Sequence, residues 1–93
     1  MIEVSQIGDD DPLRFSVTIR EGRGETRHNV TMSQKDAERL GAGGATPAQV
    51  LEAAFRFLLD RESKESILGR FDVTVISRYF PEFEKELPRY LRG

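Results

Sequence analysis

The chain has 93 residues, a net charge of −2, 38% apolar and 32% charged residues, which bounds it to one soluble globular domain, residues 1–93, built around a single core. It contains no cysteine, so disulfide frameworks, thiolate zinc sites and thiol redox chemistry are excluded. No apolar run approaches the roughly 18 residues that cross a bilayer, and the start lacks the basic-then-apolar order of a secretory signal; no membrane partner is expected and the cytoplasm is the default address.

Charge is unevenly spread. The first eleven residues carry Glu3, Asp9, Asp10 and Asp11, whereas residues 12–35 carry five basic side chains against two acidic ones. The result is a modest basic stripe on a background that is nearly neutral.

In chain order, Ile2 and Val4 alternate with polar residues up to the turn GDDDP, which predicts a short strand. Leu13, Phe15, Val17 and Ile19 then share one face of a second strand, and Arg14, Ser16, Thr18 and Arg20 the other, the period of a sheet covered on one side. The loop EGRGE supplies two glycines for a turn. The next segment alternates again, with His28, Val30 and Met32 opposite Arg27, Asn29 and Thr31, so a hairpin is expected.

Ser33 is placed to cap a helix starting at Gln34, with Asp36 favourably near its positive end and Gly41 after Leu40 ending it. Thr46, Pro47 and Gln49 form a capping box with proline at the first helical position. Val50, Leu51, Ala54, Phe55, Leu58 and Leu59 recur at helical spacing, predicting an amphipathic helix over residues 47–62 that packs on the hairpin. Phe57 falls off that stripe; partial burial under the C-terminal segment is expected in preference to an exposed contact role.

Beyond Glu62 the pattern shortens into helical pieces: SKESILGR, VTVISRYF after an Asp72 cap, and PEFEKELPRYL, in which Pro81 bends the chain and Pro88 limits the last helix. Five of the eight aromatics (Phe71, Tyr79, Phe80, Phe83, Tyr90) lie in the last 23 residues, and Ile76, Phe80, Phe83, Leu87 and Leu91 hold a helical spacing. Such a tail buries itself rather than remaining disordered.

Catalytic chemistry is thinly supplied. His28 is the single histidine and is expected to be a sheet residue satisfied by backbone or solvent; a general-base role with Glu25 or Asp36 is the competing expectation. The serines occupy cap, first-turn or mid-helix positions and no nucleophile elbow. Adjacent carboxylates at Asp9, Asp10 and Asp11 diverge instead of converging on a cation. The run GAGG follows a helix and lacks the Lys-Ser/Thr pair of a phosphate loop, so it reads as a helix stop. No metal or cofactor is expected.

The order TRHNVTM, SQKDAERL, GAGGATP, AQVLEAAFRFLLDRE over residues 26–62 resembles the ribbon-helix-helix family of bacterial repressors and antitoxins. That resemblance implies strands from two subunits paired in the DNA major groove, with Arg27, Asn29 and Thr31 as base readers and the amides of residues 46–49 as a phosphate clamp. The tail KESILGRFDVTVISRYFPEFE, together with the hairpin and ATPAQVLEAAFRFLLDRE, is also similar to small uncharacterised bacterial proteins. It implies a free-standing bacterial domain, with no activity, cofactor or site attached.

The fold expected is α+β: a small antiparallel sheet of two or three strands, packed by one amphipathic helix and short C-terminal helices. The function expected is that of a noncatalytic cytoplasmic interaction or regulatory module with a protein partner. Its contact surface is expected on the polar hairpin face (Arg14, Arg20, Arg27, Asn29) or around Arg78 and Tyr79, and a homodimer is compatible with it. DNA recognition through Arg27, Asn29 and Thr31 is the alternative. The two readings part at one place, whether residues 26–32 pair with residues 13–20 of their own chain or with their twin in a second.

Overall fold

Two-residue alternation builds the sheet. The computed structural model describes residues 1–92, beginning with strands β1 (Ile2–Gly8), β2 (Leu13–Glu21) and β3 (Gly24–Met32), each antiparallel to the next. Glu21 opposes Gly24 across a two-residue loop. Gly22 takes φ 61° at the first loop position, the backbone that only glycine adopts freely and that a II′ hairpin turn requires. Leu13, Phe15, Val17 and Ile19 of β2 are buried, as are His28, Val30 and Met32 of β3, so the expected alternation decides which face meets the core.

The sheet has a fourth strand. β4 (Arg70–Asp72) runs parallel to β3, with Val30 opposite Phe71, and the order is β1-β2-β3-β4. The sheet is therefore mixed, in place of the two or three antiparallel strands expected. A parallel neighbour requires a long crossover, and helices α1 (Gln34–Gly41) and α2 (Pro47–Leu59) fill it.

Both helices start on side-chain caps. Ser33 accepts from the Asp36 amide at 3.0 Å, and Thr46 and Gln49 exchange the two bonds of a capping box at 3.1 and 2.8 Å. The left-handed residue that closes α1 is Ala42 at φ 48°, one position after the expected glycine, because Gly41 is buried close to Val50 within the last turn.

α2 is buried on two sides rather than along one stripe. Phe55 turns toward the sheet, its ring 5.5 Å from that of His28 and 6.0 Å from that of Phe71. Phe57 points the other way and meets Phe83 at 5.1 Å and Tyr90 at 5.8 Å, both in α4 (Phe83–Arg92). Phe57 is fully buried, which bears out its expected place under the C-terminal segment. The molecule thus stacks sheet, α2 and α4, and a helix with apolar residues nearly all round is the one that occupies the middle layer.

α4 runs through Pro88 to Arg92, further than Pro88 was expected to allow. Proline removes one backbone donor, but Pro88 is exposed while Phe83 and Leu87 bury, and the Tyr90 hydroxyl donates to Asp60 at 2.5 Å. Packing holds the helix where propensity would stop it. Between α2 and α4 lie a single 3-10 turn (Lys64–Ser66), β4 and the short helix α3 (Thr74–Tyr79). Among the described residues no helix is long and apolar enough to cross a membrane.

Candidate functional site

The outward face of the sheet carries most of the polar residues singled out in the sequence, and the chain engages most of them itself. Arg20 lies between Glu3 and Glu25, and Arg27 also reaches Glu25 at 3.2 Å. The hydrogen bond from Arg20 holds the Glu25 carboxyl below its ordinary range, and the same bond raises the Arg20 guanidinium. Arg14 lies over the backbone of Gly8. Thr31 donates its hydroxyl to Asp72 at 2.6 Å. Asn29 is exposed on the same face. These exposed pairs contribute little stability, yet they neutralise the basic stripe from within.

β3, which carries Arg27, Asn29 and Thr31, is an interior strand with β2 on one side and β4 on the other. Asn29–Thr31 has strands on both sides and no edge to offer a twin strand there, whereas the intersubunit ribbon implied by the ribbon-helix-helix resemblance requires one.

His28 is 2% exposed on the inner face. Its Nδ1 lies 2.7 Å from the Leu68 carbonyl oxygen and its Nε2 2.9 Å from Thr26 Oγ1. A carbonyl only accepts, so Nδ1 is the donor to Leu68. Both nitrogens are engaged, and neither Glu25 nor Asp36 is among their partners. The acidic turn remains open, with Asp9, Asp10 and Asp11 exposed and Asp11 accepting the Gln34 amide at 3.1 Å. Among the described residues no group of three or more His, Asp or Glu side chains is disposed to hold a metal ion.

An apolar groove of about 300 Å³ opens between the end of α2, the turn after Ser66, β4 and α3. Leu58, Ile67, Phe71 and Ile76 form its buried wall, while Leu68 and Tyr79 line it and remain exposed, 47% and 68% respectively. These are the two large apolar side chains that the C-terminal third leaves in solvent. Glu62 adds a carboxylate to the lining, and among the described residues no cation lies within ion-pair distance of it. Tyr79 was singled out in the sequence; its neighbour Arg78 is exposed on α3 and does not line the groove. Ile67 and Leu68 were not singled out, because SKESILGR carries no period that marks which side chains stay outside, and Glu62 was not because it ends the helical segment before it as one more polar residue.

The groove is held open by backbone ties to β3. His28 Nδ1 fixes the Leu68 carbonyl, the Asn29 amide donates to Gly69 O at 2.8 Å, and the Val73 amide donates to Thr31 O at 2.9 Å. Asp72 then starts α3 by accepting from the Thr74 amide at 3.1 Å and the Thr74 hydroxyl at 2.7 Å. Neither protein-family models nor curated proteins nor solved structures gave a match.

Asp72 makes the site's anchoring testable by pH. Burial pushes its carboxyl up, but the hydrogen bonds from Thr31 and Thr74 outweigh this and leave it below its ordinary value. A depressed folded-state pKa contributes stability that is complete above the unfolded value of about 3.9 and is lost as pH falls through the folded value. Asp72→Ala is therefore expected to lower stability by about 1–2 kcal/mol at neutral pH, with the gap to the unsubstituted chain closing as pH drops below about 4. Urea midpoints across that range measure it, and a gap that is constant with pH would contradict the assignment.

Proposed function

We propose that the protein is a noncatalytic interaction module that receives a partner protein in the groove beside Tyr79. The observation that carries this reading is the contrast between the two surfaces. The polar sheet face pairs Arg20 and Arg27 with its own carboxylates, whereas the groove leaves Leu68 and Tyr79 exposed around an apolar wall, with the Glu62 carboxylate unpaired. Contact sites typically anchor on exposed aromatic and aliphatic side chains set in a concave patch. A groove of about 300 Å³ accepts one or two side chains rather than a folded surface. The partner segment that fits it carries an apolar residue with a lysine or arginine close by to meet Glu62. The reading keeps the cytoplasmic, bacterial setting implied by the sequence and its resemblance.

Selection from a displayed peptide library tests it. Peptides pairing an apolar with a basic residue are expected to bind, and Tyr79→Ala and Leu68→Ser are each expected to weaken them about tenfold or more. Glu62→Gln is expected to relax the demand for the basic residue. All three side chains lie away from the closed core, so urea midpoints should stay within about 0.5 kcal/mol of the starting protein. Absence of any enriched peptide, or equal binding by the Tyr79 and Leu68 variants, overturns the reading.

A further inference from the structure

We infer that β1 is a dimerisation edge that pairs antiparallel with β1 of a second copy of this chain. β1 forms one edge of the sheet, with no strand beyond it among the described residues. Met1 and Arg20 exchange both backbone hydrogen bonds, at 2.7 and 2.9 Å. In an antiparallel ladder such pairs alternate with pairs that make none. Since Met1 opposes Arg20 in this way, Glu3 and Ser5 also point their backbone groups at β2, and those of Ile2, Val4 and Gln6 point out from the edge. Natural edges are commonly blunted by lysine, proline or a bulge. Residues 2–6 contain no lysine or proline, and the irregularity in the β1–β2 register comes only after Gln6.

The spacing of the free groups selects both the occupant and the register. A two-fold pair that uses all three outward residues sets Val4 against Val4 of the partner strand, Ile2 against Gln6 and Glu3 against Ser5. Sliding by two residues one way sets Glu3 directly against Glu3, which is repulsive. Sliding the other way drives the pairing into the irregular segment at Gly8. The self-paired strand is thus complementary in hydrogen bonds and in charge at one register. It also places the half-buried Ile2 and Val4 of both copies side by side on the inner face, where α2 already packs against β1. A two-fold contact of this kind is closed, so it yields a dimer of eight continuous strands and no filament.

Residue 5 provides a test with a sign. In this register Ser5→Lys places a cation opposite Glu3 twice per dimer, and Ser5→Glu places an anion there twice. Sedimentation equilibrium of the full chain over micromolar to millimolar concentrations is expected to show a monomer–dimer equilibrium. Ser5→Lys should tighten it and Ser5→Glu weaken it, by roughly 2- to 30-fold in Kd. Ser5 is exposed, so at concentrations where the chain is monomeric both variants should keep the starting urea midpoint, and Tyr79→Ala should leave dimerisation unchanged. The inference is overturned by a chain that stays monomeric, by a dimer indifferent to residue 5, or by both substitutions moving Kd in the same direction.

Discussion

Phe57→Ala is expected to remove about 3–5 kcal/mol of stability, the range for emptying a buried phenylalanine site. For a chain of this length the whole folding free energy is on the order of 5–14 kcal/mol, so the variant should lose a large share of it. The size of the effect follows from position. Phe57 joins the middle layer to the outer one, touching Phe83 and Tyr90 of α4 and Phe80 at 5.9 Å. The Arg61 guanidinium lies 3.7 Å from its ring centroid while also bonding Glu82 and the Tyr90 hydroxyl, so the same vacancy removes a cation–π contact. Phe57→Leu keeps most of the volume and should cost less than about 1.5 kcal/mol. Urea unfolding followed by circular dichroism measures both. A loss below about 1 kcal/mol for the alanine variant would show that α4 does not rest on this side chain.

The second large effect is expected at His28. His28→Ala should cost about 2–4 kcal/mol, because it opens space against Phe55 and leaves the Leu68 carbonyl without its donor. His28→Leu separates the two contributions. Leucine refills the space but cannot donate, so what it still loses, about 1–3 kcal/mol, reports the hydrogen bond. The distinguishing readout is local. Amide exchange over residues 67–70 should rise more than elsewhere in both variants, since the turn that presents Leu68 loses its tie to β3. Uniform acceleration across the chain would instead mean that His28 serves global packing alone.

Much of the fold could be read directly because its signals are local. The alternation of Leu13, Phe15, Val17 and Ile19, the capping box at Thr46 and Gln49, and the apolar spacing of α2 each specify their own element. β4 could not be read. Its three residues, Arg70, Phe71 and Asp72, are too few to show a period, and they become a strand because β3 offers them an edge at Asn29–Thr31. Pro88 misled for the same reason, since the burial of Phe83 and Leu87 overrides a local preference. For the groove, the sequence offered Tyr79 and missed Leu68, whose exposure is set by a turn tied to His28 forty residues earlier. The polar residues of the hairpin face were identified individually, but not the carboxylates that occupy them, because cross-strand register decides which side chains meet.

The placement of α2 between two layers has a consequence for the chain as it leaves the ribosome. The sheet-facing half of that helix can settle once the hairpin and β4 have emerged, but Phe57 waits for Phe83 and Tyr90, which are synthesised well after it. Throughout that interval the nascent polypeptide displays the Phe57 ring to the cell, and the ring is hidden only when α4 closes over it.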